Sequence, residues 1–156
     1  MKPLLIGEAP SRTGDPYWRH PLSGNPSIWL CRALGLDLPK ERRDRVLAAY
    51  MHLRRRFDVV NVLERYPGAK WPDLEAAEAA TKLDLTGRRH VVLLGRNVAR
   101  AVGFRHHTEA EFFTSLHAGG SGTTFHFAPH PSRRSHVWND PENERRLGEL
   151  LRSTLA

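Results

Sequence analysis

The sequence predicts an α/β protein of three layers (α/β/α), in which helices cover both faces of a central, mostly parallel, four-stranded sheet. Short apolar runs alternate along the chain with segments of helical periodicity, and each apolar run leads into a loop of Gly, Pro or polar residues. This alternation is typical of parallel sheets, because each crossover between parallel strands needs a long connection, usually a helix. The chain has 156 residues, 40% of them apolar, which suits one domain over residues 1–156 with a buried core.

Four short runs are predicted to be buried strands, because they are apolar or β-branched and are bounded by polar residues or glycine. The Gly-rich stretch 119–122 before the last of them is predicted to be a turn. The predicted strands are residues 3–7, 57–63, 90–94 and 123–128.

Five intervening segments are predicted to be helices. Asn25 is a possible N-cap before Pro26, and Asp73 is expected to cap a helix that carries acidic residues in its early turns. The segment 39–56 has apolar residues on one face and a strongly basic outer face. The predicted helices are residues 26–36, 39–56, 73–85, 96–102 and 141–155.

The charge of the chain indicates a nucleic-acid partner. The formal net charge is +7, and only four of the 24 basic residues are Lys. Guanidinium groups bind phosphates in a bidentate manner and stack on bases, although a genome of high G·C content favours Arg whatever the function.

Several classes of protein are disfavoured by composition. The longest apolar runs are far shorter than the roughly 20 residues that span a bilayer, and the first residues are too short an apolar segment for a signal peptide. A single cysteine, Cys31, excludes an intrachain disulfide and a four-thiolate metal site. We therefore expect a cytoplasmic protein with no membrane partner.

Polar side chains lie near the carboxyl ends of three of the predicted strands, with Asn61 inside the second strand, Glu8 just after the first and His130 just after the last. The carboxyl ends of parallel strands lie at one edge of a sheet, so these residues are expected to share that edge. Taken singly, Glu8 is most simply a cap or a solvated carboxylate, and His130 a histidine that hydrogen-bonds its loop. Asn61 is more informative, because a buried amide without partners costs about 1–3 kcal/mol. His130 lies between Pro129 and Pro131, which restrict its backbone and aim the imidazole.

Together, and in this order, these elements resemble the uracil-DNA glycosylase superfamily over nearly the whole chain. The similarity is to the motifs of the family 4 enzymes. The similar segments are residues 5–10 (LIGEAP), Asp15 with residues 20–24 (HPLSG), residues 61–72 (NVLERYPGAKWP), residues 91–95 (VVLLG) and residues 128–132 (APHPS).

The resemblance implies a monomeric, cofactor-independent glycosylase that flips a base out of DNA and hydrolyses its N-glycosidic bond, leaving an abasic site. It implies that His130 donates to the departing base and that Asn61 hydrogen-bonds the edge of a pyrimidine. Glu8 or Asp15 would stabilise positive charge on the sugar and orient water. Backbone groups around Ala9 would polarise the base or the water.

The resemblance also implies DNA contacts, with single or double strands. Arg133 and Arg134 follow the His-Pro-Ser sequence, where the family places its intercalating loop. Ser23, Ser132 and Ser135 are candidates to bind phosphates through hydroxyls and loop amides.

The sequence departs from family 4 in two respects. Cys31 matches none of the four cysteines that hold the family's iron–sulfur cluster, so no cluster is expected. Leu22 stands where the family has the aromatic residue that stacks on uracil, and Tyr17, Trp18 or His20 is an alternative source of that ring. The excised base is therefore left open between uracil and a modified pyrimidine, and the role between DNA repair and antiphage defence.

Other interpretations remain open at this point. One is a non-catalytic DNA- or nucleotide-binding module on the same scaffold. Another is a metal-dependent hydrolase, since His126 and His130 are four apart on an extended segment and would face the same side. Trp138 is either a wedge into DNA or a core anchor, and the basic residues 54–56 are either a DNA-facing patch or a solvated helix end.

Overall fold

The computed structural model describes residues 1–10, 24–132 and 135–156, and within them a sheet is flanked by helices on both faces. The strands are β1 (Leu4–Gly7), β2 (Asp58–Asn61), β3 (His90–Leu94), β4 (Ser115–Ala118) and β5 (Thr123–Ala128). The helices are α1 (Asn25–Ala33), α2 (Arg42–Arg56), α3 (Asp73–Ala80), α4 (Arg96–Val102) and α5 (Pro141–Leu155), with short 3₁₀ turns at Glu109–Glu111 and His136–Asn139.

The strand order is β2-β1-β3-β5-β4. Strand β1 pairs in parallel with both β2 and β3, and β3 pairs in parallel with β5, whereas β4 is antiparallel to β5. Gly7 is in register with Asn61, and Leu94 with Ala128. The carboxyl ends of the four parallel strands therefore lie side by side at one edge of the sheet.

The mostly parallel α/β architecture agrees with the prediction, but the predicted number of four strands is wrong for the described residues, which form five. The missed strand is β4, a short segment at the edge of the sheet whose residues are mostly exposed. Because one face of β4 is solvated and its sequence contains no apolar run, it lacks the signal that marks the buried strands. The predicted turn at 119–122 is confirmed, since the N–H of Gly122 donates to the carbonyl of Ala118 at 3.0 Å and joins β4 to β5 as a hairpin.

Alternate residues of each parallel strand point into two separate cores. Leu5, on one face of β1, packs in a cluster with buried residues of α1, α2 and α5. Leu4 and Ile6, on the other face, pack in a cluster with buried residues of α3 and α4. Burial on both faces explains why the inner strands β1 and β3 are nearly continuous apolar runs rather than alternating ones.

The helix ends follow from local hydrogen bonding. Helices α4 and α5 have the predicted bounds. Helix α2 begins after Glu41, whose carboxylate accepts from the N–H groups of Arg43 and Asp44 at 3.1 and 2.9 Å. Helix α1 is capped by Gly24 rather than by Asn25.

Helix α3 differs more from the prediction. Its N-cap is Pro72, and Asp73 lies in the first turn without making a side-chain capping hydrogen bond. The helix ends at Ala80, because the next residues form hydrogen bonds to the third preceding carbonyl, as when the N–H of Thr81 donates to Glu78. None of the described helices is both long enough and apolar enough to cross a membrane.

Helix α5 crosses α1 at very short range. A Cβ added at Gly148 would lie 2.1 Å from the carbonyl oxygen of Ala33, the last residue of α1. The same carbonyl accepts from the guanidinium of Arg152 at 3.3 Å, and Leu147 and Leu151 on either side of the glycine are fully buried. The crossing thus depends on the absence of a side chain at Gly148.

Candidate active site

Three of the polar residues singled out from the sequence lie at the carboxyl edge of the sheet. Glu8 follows β1, Asn61 is the last residue of β2, and His130 is two residues beyond β5. Backbone pairing continues past the strands, since the N–H groups of Val62 and Leu63 donate to the carbonyls of Gly7 and Glu8 at 2.9 and 3.0 Å. The ends of β1 and β2 are thereby fixed against each other.

His130 approaches Glu8 although their strands are not neighbours. The imidazole Nε2 lies 3.8 Å from Oε1 of Glu8, and the two side chains are 33% and 23% exposed. Strand β3 separates β1 from β5, which places the two strands about 10 Å apart. The segment after β5 must therefore bend back over the end of β3.

Gly95 permits that bend. It has φ 105° and ψ 159°, which L side chains rarely adopt, and a Cβ added there would lie 3.2 Å from Cβ of His130. Its N–H donates to the carbonyl of Ala128 at 2.8 Å, which fixes the exit of β5 beside the end of β3. The sequence marks Gly95 only as a turn residue, and its place under His130 is visible only in three dimensions.

Asn97, in the first turn of α4, contacts the other oxygen of Glu8. Its Nδ2 donates to Oε2 at 3.3 Å, so the two carboxylate oxygens have different neighbours, Asn97 and His130. Asn97 was not among the site residues predicted from the sequence. Its position in the sequence could have indicated it, because it is a polar residue two residues beyond Gly95, at the same edge of the sheet.

Trp138 anchors the loop that carries His130. Its indole N–H donates to the carbonyl of His130 at 3.0 Å, and its ring stacks on Trp29 with centroids 5.5 Å apart. Of the two roles considered for Trp138, the contacts are those of an anchor. Ser132 adds a second restraint, because its N–H donates to the same carbonyl at 2.8 Å.

Asn61 holds a buried amide without partners among the described residues. Both Oδ1 and Nδ2 are inaccessible to solvent, and neither forms a hydrogen bond there. A buried amide without hydrogen bonds lowers the stability of the fold by about 1–3 kcal/mol, so its presence at the sheet edge needs an explanation.

The imidazole of His130 is held neutral at pH 7. Burial lowers the pKa of His130 below its ordinary value, and the nearby carboxylate of Glu8 acts in the opposite direction. A neutral imidazole has one N–H donor and one acceptor nitrogen. At 3.8 Å, Nε2 is too far from Oε1 for a hydrogen bond, so this edge of the ring is not committed to Glu8.

The remaining predicted site residues fall into two groups. Ala9 is partly buried against the core on the α3–α4 face, and the N–H of Ser135 donates to the carbonyl of Ser132 at 3.1 Å. The others lie outside the described residues. They are Asp15, Tyr17, Trp18, His20, Leu22, Ser23, Arg133 and Arg134.

His126 and His130 have separate partners. His126 lies 3.0 Å from His90 (Nε2 to Nδ1) and 2.7 Å from Ser115 (Nδ1 to Oγ), whereas His130 faces Glu8.

Cys31 is buried in the core, where its thiol contacts the carbonyl of Ala49 at 3.4 Å. Within residues 1–10, 24–132 and 135–156, no group of three or more His, Cys, Asp or Glu side chains is arranged to hold a metal ion.

No family model matches the sequence, and no curated protein matches it significantly. The resemblance to the uracil-DNA glycosylases therefore depends on the short sequence motifs.

Proposed function

We propose that this protein is a monofunctional DNA glycosylase with a uracil-DNA glycosylase-like fold, which excises uracil or a modified pyrimidine by hydrolysis of the N-glycosidic bond. One observation carries the proposal. At the carboxyl edge of the sheet, His130 approaches Glu8 to 3.8 Å, and the adjoining strand ends in Asn61, whose buried amide has no hydrogen-bond partner among the described residues. Together they offer an imidazole, a carboxylate and a group able to hydrogen-bond a base, which are the groups this reaction needs.

The chemistry assigns different tasks to Glu8 and His130. Cleavage leaves positive charge on the deoxyribose and negative charge on the base. The carboxylate of Glu8 stabilises the positive sugar and accepts a proton from the water whose oxygen bonds to C1′. His130 donates a hydrogen bond to the base oxygen as the bond between C1′ and the ring nitrogen breaks, and so stabilises the leaving anion. A neutral imidazole suits this role, because the leaving base needs a hydrogen-bond donor and His130 does not have to transfer a proton to it.

Asn61 accounts for recognition of the base. Its amide offers one acceptor and two donor hydrogens, which complement the N3–H and the O4 of uracil. Because no partner among the described residues fixes the amide, rotation by half a turn presents the opposite pattern, which complements the N3 and the amino group of a cytosine derivative. Asn61 thus supports a pyrimidine substrate without deciding between uracil and a modified cytosine.

The DNA partner is supported by charge and by the reaction itself. A formal charge of +7 that is made mostly of Arg favours binding to phosphates. A base inside a duplex must be extruded before its glycosidic bond can be reached, at a cost of a few kcal/mol, which phosphate contacts help to offset. Ser132, whose N–H donates to the carbonyl of His130, and Ser135, whose N–H donates to the carbonyl of Ser132, are candidates for such contacts.

The test is an excision assay on end-labelled oligonucleotides that carry one uracil, hydroxymethylated pyrimidine or glucosylated pyrimidine, with abasic sites revealed by alkaline cleavage. We expect product from at least one of them. His130→Ala and Asn61→Ala should each lower the single-turnover rate by about a hundredfold or more, the scale of losing one transition-state donor. His106→Ala, which removes an exposed histidine, is the matched control and should excise like the wild type.

Two outcomes would contradict the proposal. Wild-type rates in both variants would place the chemistry elsewhere. Tight binding to a modified oligonucleotide without cleavage of any base would favour the non-catalytic binding module.

A further inference from the structure

The carboxylate of Glu8 is held between two side chains. Oε2 accepts from Nδ2 of Asn97 at 3.3 Å, while Oε1 faces Nε2 of His130 at 3.8 Å. A carboxylate at the end of a two-carbon stem has many rotamers, and a hydrogen bond to one oxygen restricts them. With Oε2 held by Asn97, the remaining oxygen is left to face His130.

Asn97 is well placed to fix that orientation. It follows Gly95 and Arg96 in the first turn of α4, and the next two residues, Val98 and Ala99, are fully buried. The N–H of Ala99 donates to the carbonyl of Gly95 at 3.1 Å, so the turn is tied to the end of β3. An amide also keeps its donor at every pH, unlike a histidine or a carboxylic acid.

One turn therefore controls both partners of the pair. Gly95 leaves room for the backbone of His130, and Asn97 holds the carboxylate of Glu8. We propose that Asn97 is a positioning residue that acts through Glu8, by directing one carboxylate oxygen towards His130 and the reacting sugar. This inference rests on the proposed glycosylase function, and it assigns a role to a residue outside the recognised motifs.

The expected consequences are specific. The amide of Asn97 donates to the carboxylate of Glu8, so removing it should lower the rate of the chemical step and leave DNA affinity unchanged. Asn97→Ala should reduce the single-turnover excision rate by about tenfold, equivalent to roughly one hydrogen bond to a charged group. Arg100→Ala, which removes an exposed side chain of the same helix, is the control and should leave the rate unchanged.

A double-mutant cycle separates positioning from a merely structural role. The negative charge of Glu8 partly offsets the lowering of the His130 pKa by burial, and an NMR titration can measure that pKa. Asn97→Ala should lower the pKa of His130 in the wild-type background, because Glu8 is then free to turn away. The same substitution in a Glu8→Gln background should leave both the His130 pKa and the residual excision rate unchanged.

The proposal is overturned if Asn97→Ala changes neither quantity, or changes both equally in the two backgrounds. If Asn97→Ala does not fold, Asn97→Leu removes the donor with a side chain of similar shape and takes its place in the cycle. If the wild-type protein excises no base, the glycosylase function fails, yet the titration of His130 still decides whether Asn97 positions Glu8.

Discussion

The crossing of α5 over α1 gives the most direct quantitative prediction, through Gly148→Ala. The added Cβ would lie 2.1 Å from the carbonyl oxygen of Ala33 and 3.1 Å from its carbon. A carbon normally approaches a carbonyl oxygen to about 3.3 Å, so the helices must separate by roughly 1 Å. The guanidinium of Arg152, 3.0 Å from the added Cβ, can swing aside, but the two atoms of Ala33 belong to the backbone and cannot.

The free energy follows from two opposing contributions. Overpacking typically costs about 1–3 kcal/mol, and the rigid backbone contact places this site near the upper end. Alanine is better than glycine in a helix by about 1 kcal/mol, which offsets part of that cost. We expect Gly148→Ala to lower the free energy of unfolding by about 2 kcal/mol, or the Tm by roughly 4–8 °C for a chain of this size.

Urea unfolding followed by tryptophan fluorescence and circular dichroism would measure the change. Gly119→Ala is the matched control, because a Cβ there meets nothing within 4 Å and the backbone is not in the left-handed region. Its stability should stay within about 1 kcal/mol of the wild type. A Gly148→Ala protein as stable as the wild type would refute the close helix crossing.

Three further predictions concern the sheet edge and the buried histidines. Gly95→Ala should cost about 1–3 kcal/mol of stability from backbone strain and also slow excision, because the Cβ presses on His130; unchanged excision would contradict the contact. Asn61→Leu should raise the free energy of unfolding by about 1 kcal/mol or more while abolishing base recognition, and a loss of stability in urea would show that the amide has partners after all. Burial, and to a lesser extent His90, lowers the pKa of His126 from 6.5 to about 4. The contribution of neutral His126 to the free energy of unfolding is therefore complete above about pH 6.5 and is lost as the pH falls towards 4. The free energy of unfolding measured in urea should fall by about 3 kcal/mol over this pH range. An equally steep pH dependence of the free energy of unfolding in His126→Gln would exclude His126 as the cause.

Local sequence patterns predicted much of the fold. Helix α4 begins directly after a strand and ends at a glycine, and α5 begins at Pro141 behind the cap Asp140, so both were predictable with their bounds. Strand β4 was not predictable in this way, because its pairing with β5 rather than its own composition makes it a strand. Likewise α3 ends early through hydrogen bonds that its alanine-rich sequence does not reveal.

The candidate site was predictable where the rule for parallel sheets applies. Glu8 and His130 each follow a parallel strand and Asn61 ends one, and that rule brings them to one edge. The roles of Gly95, Asn97 and Trp138 depend instead on the path that the chain takes across the end of β3 after leaving β5. That path is a long-range property, and no local pattern of residues indicates it.

The pairing of Glu8 with His130 has a consequence for the newly made chain. Glu8 follows β1 and His130 follows β5, the first and the last of the described strands, and Gly95 and Asn97 lie between them in the chain. Contacts between such distant parts of a chain form late in folding. A chain truncated before β5 would thus carry the carboxylate without its imidazole, and under the proposed function we expect such a chain to excise no base.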